Sequence, residues 1–486
     1  MFVALSVLIL TLLLIIIVRQ KPKYPPGPFP WPFVGNQFYL RKLTRKLGGQ
    51  HLAFLELCKQ YNSGIISLRL GLNNIVVICD SKLIHEMLHK EEFDGRPWNE
   101  FIKIRNMGMR KGITMNDGPE WKELRSWSVR TLRTVGFAQR HMTELLTNEL
   151  AIILEKLKDP NVRHIRPVIS PVVINVLWTL VTAKRPSEDS RLQVFMDLLE
   201  RRARVFDMAG GMLSTFPWIR HIAPETSGYN ILQTLNDELK NFLMDTINEH
   251  KTKYVPGSEI DFIDMFLREM FAQKDKDTVF TDDNLLVTLI DFFIAGVGNT
   301  TATLDFFFLQ IANHQDVQRK LHEEIDAVIG PNRLPQLEDR VKMPYTEAIL
   351  TECQRLWLVT PIIGPRRVLE NTTLGGYKLP KNSTVLMNVF CNNMNPEFYP
   401  DPTELKPERF YKNGAYQPDE NIILFGKGHR RCPGEALAKT AMFLLFVGIM
   451  QKVRLLPMPG KQKIKAEINP GLTLSLKPYE MLIVSR

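Results

Sequence analysis

No segment restricts this chain of 486 residues as tightly as Phe425-Gly426-Lys427-Gly428-His429-Arg430-Arg431-Cys432-Pro433-Gly434. A glycine-containing loop delivers a cysteine to the point where Glu435 to Phe446 (EALAKTAMFLLF) takes up helical spacing. Pro433 suits the first turn of that helix, where a missing N–H costs nothing. Cys432 is thereby expected at a helix N-terminus, where the dipole and free N–H groups favour a thiolate. Gly428 and Gly434 let the backbone approach a flat ligand, and Arg430 can pair with a carboxylate. The other cysteines, Cys58, Cys79, Cys353 and Cys391, are widely spaced and form no CxxC. With an odd total, they argue against a disulfide framework and a zinc site. Each reads as a buried small hydrophobe in a reducing compartment.

The other end of the chain reads as a membrane anchor. Phe2 to Val18 (FVALSVLILTLLLIIIV) is an uncharged run of 17 residues, at the short end of a spanning helix. Arg19, Lys21 and Lys23 follow it and no Lys or Arg precedes it, which keeps the body cytoplasmic and the N-terminus lumenal. A cleaved signal peptide would want a basic start, a shorter apolar run and a small-x-small cleavage site. Residues 1–20 are therefore assigned as anchor. Residues 21–36 form a spacer stiffened by six prolines between Pro22 and Pro32, an extended arrangement. Residues 37–486 form one large domain, since no second linker, repeat or low-complexity run divides them.

Within that body, Ser63–Leu70 and Asn74–Cys79 flank Gly71-Leu72-Asn73 as a hairpin. From about Lys82 to Leu358 the pattern is mainly helical. Thr372–Asn392 returns to strand-like character, with turns at Gly375-Gly376 and Pro380-Lys381-Asn382. Gly471-Leu472-Thr473 and Met481-Leu482-Ile483 read as short late strands. The fold class is mostly α with a small β region. Leu285–Val297 is strongly apolar but too short to span a bilayer and is interrupted by Asp291, so it reads as a buried core helix. The net charge is +10. Lys and Arg are scattered and no nucleic-acid-binding motif accompanies them, so the charge suits anionic lipid or an acidic partner protein.

The cysteine segment fits FxxGxRxCxG and resembles the haem-binding loop of the cytochrome P450 family. The resemblance covers nearly the whole chain. Glu352-Cys353-Gln354-Arg355 is similar to the family's ExxR motif, whose Glu and Arg share a helix face. Pro407-Glu408-Arg409-Phe410 resembles the loop whose arginine completes that pair. The resemblance implies a buried network of Glu352, Arg355 and Arg409. Trp121-Lys122-Glu123-Leu124-Arg125 is similar to the family's WxxxR helix. It implies that Trp121 and Arg125 hold a haem propionate, joined by Arg430 and by Arg366 or Arg367. The implied cofactor is heme b, its iron bound axially by the Cys432 thiolate, with Phe425 and Gly434 beside it.

Asp291 to Thr301 (DFFIAGVGNTT) resembles the family's oxygen-side helix but departs from its pattern, Ala/Gly-Gly-x-Asp/Glu-Thr-Thr/Ser. Ungapped, Gly298 replaces the acid and Asn299 the threonine. A shifted reading puts Asn299 at the acid position and Thr300 at the alcohol. Splitting the O–O bond needs two protons, and a Cys thiolate pushes electron density from the opposite side. Asn299 can hold a water but cannot donate a proton as an acid does. Either Asn299, Thr300 and ordered water carry the protons, or the reaction differs.

The resemblance is to microsomal members related to animal drug-metabolising enzymes, with arthropod-like character at Phe93–Pro97 and Arg105–Arg133. It implies a monooxygenase of the endoplasmic reticulum membrane that hydroxylates or epoxidises an apolar small molecule. Electrons would come from NADPH through NADPH-cytochrome P450 reductase. Lys427, Arg431 and Lys439 are candidates for that contact. Phe101, Phe206, Phe292, Phe293 and Ile362-Ile363 occupy segments that line the family's pocket, which implies an apolar substrate, although each taken singly reads as ordinary core. Two rivals stay open. One is a haem isomerase or dehydratase needing no dioxygen activation. The other is a non-catalytic haem-binding protein, with Gly298-Asn299 as its only support.

Overall fold

The computed structural model describes residues 24–486 apart from 161, 186–190, 206–211, 275, 466, 470 and 472. The anchor assigned to residues 1–20, the first three residues of the spacer and Phe206 lie outside the described residues.

The elements that frame the site are, in chain order, α1 (Gln50–Gln60), β1 (Ile65–Leu70) and β2 (Asn73–Ile78). Then come α2 (Gly118–Thr134), α3 (Arg140–Lys156), α4 (Val172–Thr182) and α5 (Leu192–Val205). They are followed by α6 (Phe262–Ala272), α7 (Asp282–Asn313) and α8 (Pro344–Leu356). The last are β3 (Ile362–Arg367), β4 (Thr384–Asn388) and α9 (Glu435–Lys452). Helices dominate and the strands form small sheets, as the sequence implies.

Helix α7 is the axis. Thr281 caps it by accepting from Asn284 N–H, and Asp282 and Asp283 sit in the first turn, where carboxylates complement the dipole. Its apolar residues are buried on several sides, Leu289, Phe293, Phe307 and Ile311 among them. A helix apolar all round belongs in a core. Although long and apolar enough to cross a membrane, α7 is largely buried by the body's other helices, so the core reading of Leu285–Val297 holds. Gly296 allows the close approach of α4, since a Cβ there would lie 2.4 Å from Leu177 Cδ1.

The main sheet has the order β1-β2-β4-β3. β1 and β2 pair antiparallel from Ile65↔Ile78 to Leu70↔Asn73, the hairpin expected around Gly71. β2 and β4 run parallel. β3 pairs antiparallel with β4, and the register shifts between Ile363 and Arg366. Gly364-Pro365 lies in that shift, and such a bulge re-aims the following side chains. Arg366 is buried as a result, at 4% exposure.

The late strands differ from expectation in one place. Leu482–Ser485 pairs with Val453–Leu456, close to the expected Met481–Ile483. Gly471 and Thr473 are not in a strand: Ile468–Asn469 pairs with Ser475–Leu476, and both residues lie in bends between them. Pro470-Gly471 is turn chemistry, and it outweighs the short apolar pattern.

Candidate functional site

The cysteine loop closes on itself. Cys432 N–H donates to Phe425 O at 2.8 Å, and Arg431 N–H to Gly428 O at 3.1 Å. Gly428 has φ +69°, and a Cβ there would lie 2.4 Å from Leu88 O, so glycine is required by both backbone and space. Helix α9 begins at Glu435 with Gly434 as its cap. Pro433 therefore stands in the turn ahead of the helix, not in its first turn as the sequence suggested. The hydrogen bond of Cys432 N–H to Phe425 O holds the chain in the loop for those extra residues. Cys432 is exposed at the residue level, yet the surrounding protein desolvates its thiol and raises the pKa, against the Gly434 N–H and the charges of Arg125 and Arg431. The loop alone does not secure a thiolate; a bound metal ion does, because its ligand must be deprotonated.

Four arginines crowd beside this loop. Arg430 lies over the Trp121 ring with its Cζ 3.3 Å from the centroid. Its Nε and Nη2 donate to Asp94 O at 3.0 and 2.7 Å, and Nη2 also to Asn116 O at 2.8 Å. Its Nη1 is buried without a hydrogen bond. Arg366 places Nη1 3.5 Å from Asp94 Oδ1, but Nε and Nη1 make no hydrogen bond. Arg96 donates Nη1 to Pro365 O at 2.7 Å, while its Nε is buried without a partner. Arg125 donates to Arg431 O. Burial, then the charge of Arg96, presses Arg430 down to about 8. The same causes bring Arg366 to about 9. Burial, then Arg125, brings Arg96 to about 10. Buried cations with unused N–H groups and mutual repulsion require an anion.

Trp121 and Arg367 are placed differently from Arg430 and Arg366. The Trp121 indole N–H donates to Ile113 O at 3.0 Å, so the ring is a platform for Arg430 and its N–H is engaged within the protein. Arg367 is occupied by Asp117 at 2.8 Å and Asn382 at 3.0 Å. Of the two strand arginines, Arg366 faces the cluster. Arg96 and Asp94 were not singled out from the sequence as site residues. Arg96 is a single cation with no motif around it, and the bridge Gly95↔Arg367 brings it beside β3, where it also donates to Pro365 O.

The second motif forms a buried ion network. Arg355 Nε and Nη2 grip Glu352 bidentately at 2.7 and 2.8 Å, and both side chains are fully buried. Arg355 Nη1 donates to Asn393 O at 2.8 Å and Pro402 O at 2.9 Å. Arg409 Nε reaches Glu352 Oε1 at 3.2 Å, and Lys406 N–H donates to the same atom at 3.0 Å.

Helix α7 presents different residues on different sides. Phe293 packs on Phe195 and Trp178, with centroids 5.0 and 5.7 Å away. Phe292 packs edge-on to Phe262 at 5.1 Å. Both are therefore core against α4, α5 and α6, correcting the pocket-lining expectation, because Gly296 draws that side of α7 onto α4. Phe101 is buried beside Leu213 and Leu232. Ala295 and Gly298 are exposed, and a Cβ on Gly298 would meet nothing within 4 Å. Asn299 Nδ2 donates to Ala295 O at 3.2 Å, and Thr473 Oγ1 donates to Asn299 Oδ1 at 3.0 Å. Thr300 is buried.

Two of the three loop cations are paired. Arg431 and Lys439 both contact Glu435, at 2.6 and 2.8 Å, and Lys427 Nζ donates to Glu420 O at 3.4 Å. A surface groove of about 1000 Å³ between α3 and α4, lined by Glu149 and Asn175 among others, shares no residue with this site.

One thiol on a glycine-bounded loop and a cradle of cations fit a flat group that carries a metal ion and carboxylates. Relatives point the same way. The family model for cytochrome P450 matches residues 25–483. The probable cytochrome P450 305a1 of Drosophila melanogaster is 38% identical over 481 residues, covering 96% of this chain and 95% of that protein. Farnesoate epoxidase of Bombyx mori is 35% identical over 473 residues, covering 95% and 94%. Cytochrome P450 2J2 of Homo sapiens is 31% identical over 477 residues, covering 96% and 92%. A thiol loop, a cation cradle and a family match across the described body together make this chain a member of the cytochrome P450 family, enzymes that hold haem through a cysteine thiolate and act as monooxygenases.

Proposed function

We propose that the protein is a membrane-anchored, reductase-dependent monooxygenase that hydroxylates or epoxidises an apolar small molecule, with Cys432 as the iron ligand. The observation that carries this is the cradle of Arg96, Arg125, Arg366 and Arg430 beside the cysteine loop. Arg430, Arg366 and Arg125 would neutralise the two propionates. Trp121 holds Arg430 in place, Phe425 O fixes the Cys432 N–H, and a Cβ on Gly434 would lie in ordinary contact, 3.8 Å from Cys432 Sγ. Glu352, Arg355 and Arg409 lock the core on the cysteine side. When bound, the haem supplies dioxygen activation, so that RH, O2, two electrons and two protons give ROH and water.

On the oxygen side, Gly298 leaves open space, and Thr300 together with the amide N–H of Asn299 that Ala295 O does not engage would hold the water that passes protons inward. Electrons come from NADPH through NADPH-cytochrome P450 reductase. The exposed edge near Lys427, Arg431 and Lys439 is the docking face, its charge tempered by Glu435. Residues 1–20 anchor the protein in the endoplasmic reticulum membrane, residues 21–36 space it and residues 37–486 carry the chemistry in the cytoplasm. Exposed Phe33 at 82% and Trp31 at 66% lie where the spacer leaves the bilayer, an apolar surface that suits lipid. The name of the Bombyx mori relative makes farnesoate, an unsaturated apolar chain, the first substrate to try.

A second reading, an isomerase or dehydratase on the haem, rests on Gly298-Asn299 lacking the acid–alcohol pair; it requires turnover without NADPH. The deciding experiment is the carbon monoxide spectrum of the reduced protein with Cys432→Ser and Cys353→Ser. The red-shifted band of a thiolate-ligated haem is expected in wild type and Cys353→Ser and lost in Cys432→Ser. A histidine-type spectrum in wild type would overturn the reading.

A further inference from the structure

In the ungapped register Asn299 stands where the family's oxygen-side helix carries an alcohol, and both ends of its amide are already engaged. Nδ2 donates to Ala295 O at 3.2 Å, and Oδ1 accepts from Thr473 Oγ1 at 3.0 Å. The orientation of the amide is fixed by this pairing. Flipped, its oxygen would face the Ala295 carbonyl, acceptor against acceptor. A threonine at 299 would be shorter, with a hydroxyl held close to its own helix. The longer asparagine reaches another element.

Thr473 lies between the paired strands Ile468–Asn469 and Ser475–Leu476. The next residue, Leu474, donates its N–H to Val359 O at 2.7 Å, just ahead of β3. Two consecutive residues therefore tie the C-terminal segment to two elements, α7 at Asn299 and the strand approach at Val359. Asn299 adjoins Gly298, which opens onto free space, and Thr473 is only partly buried.

We propose that Thr473 is a positioning residue. Its hydrogen bond to Asn299 clasps the C-terminal turn onto α7 and closes the oxygen side of the pocket to bulk water. The departure at residue 299 is then half of a clasp that spans the pocket wall. The inference rests on the monooxygenase reading, because it needs that side of α7 to face the reacting oxygen. With the clasp open, water enters beside Gly298. Dioxygen that has taken two electrons and two protons then leaves as hydrogen peroxide before a substrate C–H or C=C is attacked. The reductant is NADPH, oxidised to NADP⁺ in the same balance.

The test uses the full-length haem-loaded protein with its reductase, as wild type, Thr473→Val and Thr473→Ser. Val keeps the size and removes the hydroxyl; Ser keeps the hydroxyl. Hydrogen exchange at the Leu474 amide, without substrate, is expected to speed up about five-fold in Thr473→Val, the equivalent of about 1 kcal/mol for one hydrogen bond. The share of NADPH electrons recovered as peroxide is expected to rise in the same variant. Thr473→Ser is expected to restore both, and the carbon monoxide spectrum to stay unchanged in all three. Unchanged exchange in Thr473→Val would overturn the clasp. Faster exchange with an unchanged peroxide share would make Thr473 a structural residue only, and would also overturn the proposal. A wild type with the thiolate spectrum that consumes no NADPH with its reductase would sink the monooxygenase reading, and this inference with it.

Discussion

Glu352→Gln removes one charge from a pair, Glu352 and Arg355, whose side chains have no access to water. Glu352 accepts from Arg355 Nε at 2.7 Å, Arg355 Nη2 at 2.8 Å, Lys406 N–H at 3.0 Å and Arg409 Nε at 3.2 Å. A glutamine offers a single acceptor oxygen. Whichever way its amide points, an NH2 then faces a guanidinium N–H. Losing a charge-assisted hydrogen bond is worth about 1.5–3 kcal/mol, and leaving a buried arginine uncompensated brings the total to about 3–5 kcal/mol. With a urea slope of about 3 kcal/mol per molar, the unfolding midpoint falls by roughly 1–1.7 M. Far-UV circular dichroism against urea measures it. The comparison variant is Glu144→Gln, which breaks the exposed Arg140–Glu144 pair, 2.8 Å long and one turn apart. Pairs of that kind contribute about 0.3–0.5 kcal/mol. If Glu352→Gln shifts the midpoint no further than Glu144→Gln does, the network is solvated and the argument from burial is wrong.

Arg430→Gln is expected to act in two directions. It relieves the burial of a cation and, after that, the repulsion from Arg96 and Arg366, which together press Arg430 down to about 8, so the haem-free protein unfolds no more readily. It also removes a charge from the cradle, so haem passes to a scavenger apoprotein faster, by about ten-fold or more for a charge-assisted contact. Gly428→Ala places a Cβ 2.4 Å from Leu88 O at φ +69°; strain of about 1–3 kcal/mol is expected to lower haem occupancy of purified protein, while Gly414→Ala, at φ +78° with nothing within 4 Å of its Cβ, carries the backbone strain without the clash and away from the cysteine loop, and leaves occupancy unchanged. Asp305 is buried at 1% exposure, and burial raises its carboxyl from 3.8 to about 6 against the Tyr479 hydroxyl. The folded state therefore binds a proton that the unfolded state has released, and stability falls as pH rises from about 4 to about 6, by up to about 3 kcal/mol. Urea midpoints across that window should show the slope, and Asp305→Asn should lack it.

The cysteine loop, the Glu352–Arg355 pair and the hairpin at Gly71 were legible because each is local. Their residues meet within a few positions or within one motif. The cradle was legible only in part. Arg430 and Arg125 lie in motifs, whereas Arg96 enters through the bridge Gly95↔Arg367, a pairing of residues far apart in sequence that no local pattern announces. The identity of the strand arginine could not be read either, because Arg366 and Arg367 exchange faces with a one-residue bulge. Whether Phe292 and Phe293 are pocket wall or ordinary core could not be decided from the sequence for the same physical reason. Helix spacing gives the relative directions of side chains, but the rotation of α7 is set by Gly296 against Leu177, a contact between helices.

Asp291 shows how the two sides of the site become one unit. In the sequence it is a charge interrupting an apolar run. In the structure its Oδ2 accepts from Ile113 N–H at 2.9 Å and Thr114 N–H at 2.8 Å. Burial raises its pKa, while Arg105 and those two N–H groups draw it back. The segment it holds offers Ile113 O to the Trp121 indole at 3.0 Å, and the Trp121 ring carries Arg430 at 3.3 Å. A helix on the oxygen side is thus connected, through one backbone segment and one indole, to a cation on the cysteine loop. Each link is directional and buried, so displacement of α7 by a substrate must either bend this chain or be resisted by it. Gly112 makes the connection possible: a Cβ there would lie 2.7 Å from Asp291 Oδ2, pushing the segment off the carboxylate that anchors it.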